Sequence, residues 1–141
     1  MRANTRGAGG RLPGTDAAAG GRVLVIDDEP MMGTTLRMAL ADEHEVVIVD
    51  SGEDARRLLE DDRGFDAIVC DLMMPDVSGM ELHALLEASA PHLARRMIFM
   101  TGGAYTDAAR RFLEGVDNPR IQKPFDVDEL LALVQHVRSD A

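Results

Sequence analysis

The sequence predicts an α/β fold, a doubly wound sandwich whose five-stranded parallel sheet carries helices on both faces. Two observations predict it. Short apolar runs alternate five times with segments of helical period between Arg22 and Arg138, the pattern of successive right-handed βαβ crossovers. The runs are continuously apolar rather than alternating in polarity, as strands covered on both faces are. A third feature locates a site on that fold. Val23-Leu24-Val25-Ile26 leads into Asp27-Asp28, Ala67-Ile68-Val69-Cys70 into Asp71, Met97-Ile98-Phe99-Met100 into Thr101, and Arg120-Ile121-Gln122 into Lys123-Pro124. Ligands of open parallel sheets bind outside the carboxyl ends of the strands. Three carboxylates, a hydroxyl and the chain's only lysine are therefore expected at one sheet edge.

Residues 1–21 are rich in Gly, Ala and Arg without periodicity, the composition of a disordered tail or linker. Val23–Asp27 reads as the first strand. Pro30 suits the first turn of a helix, which Met32, Leu36 and Met38-Ala39-Leu40 carry to about Ala41. Glu45–Val49 is the second strand. Ser51 is an N-cap with Asp54 three residues on, and Ala55, Leu58 and Leu59 mark a helix to about Asp61, with Gly64 as breaker. Ala67–Asp71 is the third strand and Met74-Pro75-Asp76 a loop. Ser78 caps a helix carrying Met80, Leu82, Leu85 and Leu86, which Pro91 ends. Arg96–Met100 is the fourth strand, followed by the turn Gly102-Gly103. Thr106 caps a short helix with Ala109, Phe112 and Leu113. Asn118-Pro119 turns into a short fifth strand. Asp126 caps a last helix on Leu130, Leu131, Leu133, Val134 and Val137. The folded domain is expected over 22–138, with 139–141 as a tail.

Composition narrows the class. A chain of 141 residues, 45% hydrophobic and 28% charged, fits one globular domain. Aromatics are 4% and tryptophan is absent, so the core must be aliphatic and methionine-rich. No apolar run approaches the ~20 residues of a membrane helix, and no apolar stretch follows the N-terminal arginines as in a secretory signal. The single cysteine, Cys70, excludes an internal disulfide and a cysteine-based zinc site, and its apolar neighbours mark it as a small buried hydrophobe. Together these features place the protein in the cytoplasm. The net charge is −10. Arg2, Arg6, Arg11 and Arg22 lie in the first 22 residues against Asp16 alone, leaving 11 basic and 24 acidic residues, a net of −13, in the rest. Such a domain repels nucleic-acid phosphates, and no segment is left over for a recognition helix.

Asp27-Asp28-Glu29-Pro30, Asp71-Leu72-Met73-Met74-Pro75 with Gly79, Thr101-Gly102-Gly103 and Lys123-Pro124-Phe125 occur in order, each at a strand end. In these motifs, and in the spacing between them, the chain from about Arg22 to Arg138 resembles the receiver domain of bacterial two-component response regulators. The resemblance implies a flavodoxin-like (βα)5 fold and a phosphorylation-dependent signalling switch. A histidine kinase or phosphotransfer protein would supply the phosphoryl group.

The residue chemistry agrees. Asp71 is the candidate phosphoacceptor, since a carboxylate can form an aspartyl phosphate. Mg²⁺ takes oxygen ligands, and Asp28 and Asp71 can each supply one. The resemblance implies the backbone carbonyl of Met73 as a third ligand, Asp27 acting mainly through water, and a cis Lys123-Pro124 bond. Lys123 brings positive charge to the phosphoryl oxygens, and such catalysis is mostly positioning and electrostatics. The Thr101 hydroxyl can donate to a phosphoryl oxygen and pull on the Gly102-Gly103 turn. Met73 and Gly103 are placed to flank the attacking water. Output is expected through the helix after Thr101, the fifth strand and the last helix, a face that would also serve a weak dimer of an otherwise monomeric protein. The domain would have no separate substrate and so would not be an enzyme in the usual sense.

Competing readings exist for each residue. Asp27-Asp28 can simply cap the first helix; Asp71, Thr101 and Lys123 can be a loop acid, a turn residue and a surface charge. Met73-Met74 reads as packing. His44, His83, His92 and His136 read as surface residues, and Arg56-Arg57, Arg95-Arg96 and Arg110-Arg111 as solvated element ends. A constitutive docking module on the same fold is the main functional alternative. A metal-dependent phosphohydrolase is a third, but the second acid such enzymes need two residues past the nucleophile is Met73 here. One departure from the family pattern stands out. Many receivers carry Tyr or Phe three residues before the lysine as partner to the Thr switch, and here that residue is Arg120; Tyr105 and Phe112 are the nearby aromatics. The turn 101–105 and Asn118-Pro119-Arg120 look most like receivers at the C-terminal end of hybrid histidine kinases, the alternative being a single-domain response regulator.

Overall fold

The computed structural model describes residues 21–103 and 106–140. Strands β1 (Arg22–Ile26), β2 (Glu45–Val49), β3 (Ala67–Asp71), β4 (Met97–Thr101) and β5 (Arg120–Gln122) form one parallel sheet in the order β2-β1-β3-β4-β5. The residues expected to start and stop each strand do so to within a residue. The five strands and the helices between them are the (βα)5 sandwich the alternating pattern predicts. β3 is central, and the strand order reverses between β1 and β3, so the two strands carrying the acidic residues flank the switch point of the sheet.

Helix α1 (Pro30–Leu40) and helix α6 (Val127–Asp140) cover one face, where Leu36, Leu40, Leu130, Val134 and Val137 pack on Val23, Val25, Val69, Ile98, Met100 and Ile121. Helices α2 (Gly52–Asp61), α3 (Gly79–Ser89), α4 (Pro91–Ala94) and α5 (Asp107–Gly115) cover the other, where Leu59, Leu82, Leu86, Leu93 and Leu113 pack on Leu24, Ile26, Ile68, Cys70, Met97 and Phe99. Every residue of β3 and β4 is buried. That two-sided burial is why their sequences show continuous rather than alternating apolarity. Burial also pushes the Cys70 thiol well above its ordinary pKa, as expected for a packing residue.

The caps read from the sequence are formed. Ser51 accepts from the Asp54 N–H at 3.0 Å, Thr106 from Ala109 at 3.1 Å, and Asp126 from Asp128 at 3.0 Å. Ser78 forms a reciprocal capping box with Glu81.

Several expectations need correction. Pro91 does not merely end a helix: α3 stops at Ser89, and Pro91 begins the one-turn α4, the position where its missing N–H costs nothing. α6 continues through Asp140, so the first two residues of the tail expected at 139–141 are helical. His44 and His83 are buried, at 2% and 5% exposure, not on the surface. His83 lies on the stripe Gly79, Leu82, His83, Leu86 that α3 turns to the sheet. His44 follows α1, where its N–H caps the Leu40 carbonyl at 2.9 Å. Met73 and Met74 part company: Met74 enters the core, while Met73 is 42% exposed. The arginine pairs are also not simply solvated. Arg56 bridges Glu53 and Glu60, and Arg96 donates to the Phe65 carbonyl at 2.9 Å. The expected N-terminal tail lies, up to residue 20, outside the described residues, as does Tyr105.

Candidate functional site

The site forms where β1, β3, β4 and β5 end. Asp27 follows β1 directly, and its N–H donates to the Val49 carbonyl of β2, which extends the ladder by one residue. Register pairs Ile26 with Cys70, so Asp27 arrives beside Asp71. Asp71 in turn pairs with Met100, one residue before Thr101, and the Lys123 N–H donates to the Thr101 carbonyl at 2.8 Å. The ladder itself thus sets the four side chains side by side.

Asp27 is essentially buried, at 1% exposure. Its Oδ1 accepts the Glu29 N–H at 2.9 Å, and its Oδ2 accepts from Lys123 Nζ at 2.9 Å. The same ammonium lies 3.7 Å from Asp71 Oδ2 and 3.9 Å from Glu29 Oε1. Asp28 is exposed. The helix-capping reading of the Asp-Asp pair does not describe this arrangement. α1 has Glu29 as its N-cap residue with no side-chain cap, and Asp27 spends its second oxygen on the lysine.

One carboxylate oxygen from each of Asp27, Asp28 and Asp71 lies within 4.8 Å of the others. Three carboxylates so close are mutually unfavourable without a cation. Burial pushes the Asp71 carboxyl up to about 6. Lys123 opposes that rise, Asp27 adds to it, the main-chain N–H of Met73 opposes it, and Asp28 adds a smaller push. Lys123 stays above the ordinary lysine range: burial lowers it, but the hydrogen bond it donates to Asp27 and the charge of Asp71 outweigh burial. The donor set is all oxygen, anionic and open on one side, and these features suit a hard divalent cation. The Lys123-Pro124 bond is cis.

Thr101 is buried at the end of β4. Beyond it Gly103 has φ +103°, a left-handed conformation that glycine adopts without strain. Arg120 is exposed on the edge strand β5, in register with Phe99. No aromatic therefore sits three residues before the lysine. The aromatic contacts nearest in sequence are made beneath Thr101, where Phe112 of α5 meets Phe99 of β4 edge-on at 5.2 Å and His83 of α3 at 5.3 Å. Glu29 stands in the run Asp27-Asp28-Glu29, but its position in the sequence does not show that it approaches the lysine. Its contact with the lysine depends on the turn into α1.

Fold and site together define a doubly wound α/β protein with an acidic, lysine-bearing centre at its switch point. Residues 23–135 match the family described as the response regulator receiver domain, and the chain belongs to that family. It is 36% identical over 127 residues to the transcriptional regulatory protein TcrA of Mycobacterium tuberculosis, covering 87% of this chain and 49% of TcrA. It is 32% identical over 128 residues to the two-component response regulator ORR21 of Oryza sativa, covering 88% of this chain and 18% of that protein. The chain thus spans half or less of the length of these relatives. Among solved structures it resembles a response regulator receiver domain protein from Clostridium thermocellum, with TM-score 0.73, 26% identity, 85% of this chain and 95% of that one covered. A CheY-like receiver from Methanospirillum hungatei superposes with TM-score 0.75 at 24% identity, covering 85% of this chain and 94% of that one, a likeness of fold. The flavodoxin-like fold expected from the sequence is the fold observed. The chain thus carries a receiver domain of two-component response regulators, a module of phosphorylation-dependent signalling. No helix among the described residues is long and apolar enough to cross a membrane.

Proposed function

We propose that Asp71 is the phosphoacceptor, with Asp27, Asp28, Lys123 and Thr101 as its supporting groups. The observation that carries this reading is the placement of Lys123 Nζ 3.7 Å from Asp71 Oδ2, inside a cluster of three carboxylates. An Asp71 oxygen forms a bond to phosphorus as the P–N bond of a phosphohistidine breaks and the imidazole leaves. Hydrolysis reverses the state: water adds to phosphorus and the Asp71 carboxylate departs. The donor is anionic, and so is the site. Mg²⁺ held by Asp28, Asp71 and the Met73 carbonyl, with Asp27 acting through water, would neutralise that charge.

The chain's own residues do the rest. Lys123 meets the phosphoryl oxygens as a compact charge. Asp27 fixes its direction through the 2.9 Å contact. Thr101 donates its hydroxyl to a phosphoryl oxygen only when one is present, drawing the 101–103 segment inward and shifting α5. Output passes through α5, β5 and α6, the surface through which a weak dimer of the monomer would also form. The domain acts on itself and has no separate substrate. Residues 22–138 form the working unit and function in the cytoplasm. With 12 basic and 23 acidic residues over 22–138, a net charge of −11, this unit does not bind nucleic acid directly.

The test is exposure to beryllofluoride and Mg²⁺, which mimic the phosphorylated carboxylate, with amide NMR as readout. Wild type is expected to shift at Asp71, Thr101 and α5, and Asp71→Asn to stay unchanged. An unresponsive wild type, or equal responses from both, sinks the proposal and favours a docking module that ignores phosphorylation.

A further inference from the structure

The loop between β3 and α3 begins at Asp71, carries Met73, and returns to the helix layer at Gly79. Its start is fixed by the Leu72 N–H donating to Met100, and its end by the Gly79 N–H donating to the Leu72 carbonyl, both at 3.0 Å. Between these points the loop leans on the start of α2. The Glu53 N–H donates to Asp76 Oδ2 at 3.3 Å. The main-chain N–H groups of Val77, Glu53, Asp76 itself and Gly52 together hold the Asp76 carboxyl below the ordinary range. The approach is close enough that a Cβ on Gly52 would lie 1.9 Å from the Val77 carbonyl oxygen.

A helix start leaves four N–H groups without partners inside the helix. In α2 two of them go to two different caps. Ser51, the N-cap from its own chain segment, takes the Asp54 N–H. Asp76, from a loop 23 residues away, takes the Glu53 N–H. Ser51 alone would suffice to start a helix. The second acceptor contributes something a local cap does not: it ties the loop after the phosphoacceptor to a rigid element.

We propose that Asp76 is a positioning residue, pinning the 72–78 loop to α2 so that the main chain of Met73 is held ready beside Asp71. The inference rests on the proposed cation site, since Met73 matters there through its carbonyl. It predicts that Asp76 governs affinity for Mg²⁺ without touching the ion, as groups behind metal ligands do.

The test compares Asp76→Ala, Asp76→Asn and Ser51→Ala in the full chain. Each is titrated with Mg²⁺ alone, followed by amide NMR, and melted. Asp76→Ala is expected to weaken Mg²⁺ binding about tenfold and to move the Met73 amide resonance before any metal is added. Asp76→Asn keeps an acceptor oxygen and is expected to recover most of the affinity. Ser51→Ala removes the other cap of the same helix, so it is expected to lower Tm while leaving the Mg²⁺ Kd unchanged. The proposal is overturned if Asp76→Ala binds Mg²⁺ as wild type does, or if Ser51→Ala weakens binding equally. A wild-type chain that does not bind Mg²⁺ overturns the cation site itself along with it.

Discussion

Removing the ammonium of Lys123 tests how the acidic centre is held together. In Lys123→Met the apolar stem remains and the charge is lost. The ammonium sits 2.9 Å from Asp27 Oδ2 and 3.7 Å from Asp71 Oδ2. With an effective dielectric of about 20, the Coulomb attraction is about 6 kcal/mol for the first pair and about 4 kcal/mol for the second. Desolvation of the lysine and of the fully buried Asp27 side chain takes back most of that. A net loss of about 2–3 kcal/mol is expected in metal-free urea unfolding near pH 8. The pH dependence separates this account from loss of packing. The Asp71 pKa is raised in the fold to about 6, above the roughly 3.9 of an unfolded aspartate. The folded state therefore binds the Asp71 proton more tightly than the unfolded one. Metal-free stability should be greatest at low pH in this respect and fall as pH rises through about 6. Near pH 5 Asp71 is largely protonated, and Lys123 then neutralises chiefly Asp27. The cost of Lys123→Met should thus be smaller near pH 5 than near pH 8, and the Asp71 midpoint should move up without its cation. A cost that is equal at both pH values, or larger at the lower one, refutes the reasoning, as does an Asp71 midpoint that falls.

Four further outcomes follow from the same geometry. Saturating Mg²⁺ should flatten the fall in wild-type stability between roughly pH 4 and the folded Asp71 midpoint of about 6, because it favours the deprotonated cluster; urea midpoints with and without Mg²⁺ measure this. Thr101→Ala should still accept a phosphoryl group but lose the amide shifts in α5 that accompany it, whereas Thr101→Ser should keep them. Met73→Asn should shorten the phosphoryl lifetime several-fold in a dephosphorylation time course, since the exposed Met73 side chain lies at the mouth and an amide there can hydrogen-bond the attacking water. Phe99→Ala removes the ring that meets both His83 and Phe112 and should cost about 3–5 kcal/mol in urea unfolding.

Most of the fold is legible in the sequence because two-sided burial writes itself as unbroken apolar runs. Val23–Ile26, Ala67–Cys70 and Met97–Met100 admit few other readings, and Ser51, Ser78 and Thr106 mark helix starts by the chemistry of a cap. The residues of the acidic centre are legible because each directly ends or follows such a run. What escapes is whatever depends on which distant segment arrives opposite. His83 reads as polar and exposed until α3 turns it onto Phe99. Asp76 reads as a loop acid because its partners lie on α2, far away in sequence. Pro91 signals a break equally well whether the chain leaves a helix or begins one. The cis bond at Lys123-Pro124 leaves no mark in the sequence, and only the family likeness implies it.

The central claim, that Asp71 takes the phosphoryl group, is tested most directly by locating the modified residue. The chain is incubated with acetyl phosphate and Mg²⁺, the acyl phosphate is reduced with borohydride, and the peptides are mapped by mass spectrometry. The account predicts homoserine at position 71 in wild type, and none in Asp71→Asn or when Mg²⁺ is chelated. Unmodified wild type under conditions that saturate it with Mg²⁺, or modification mapping to Asp27 or Asp28 instead, would contradict it.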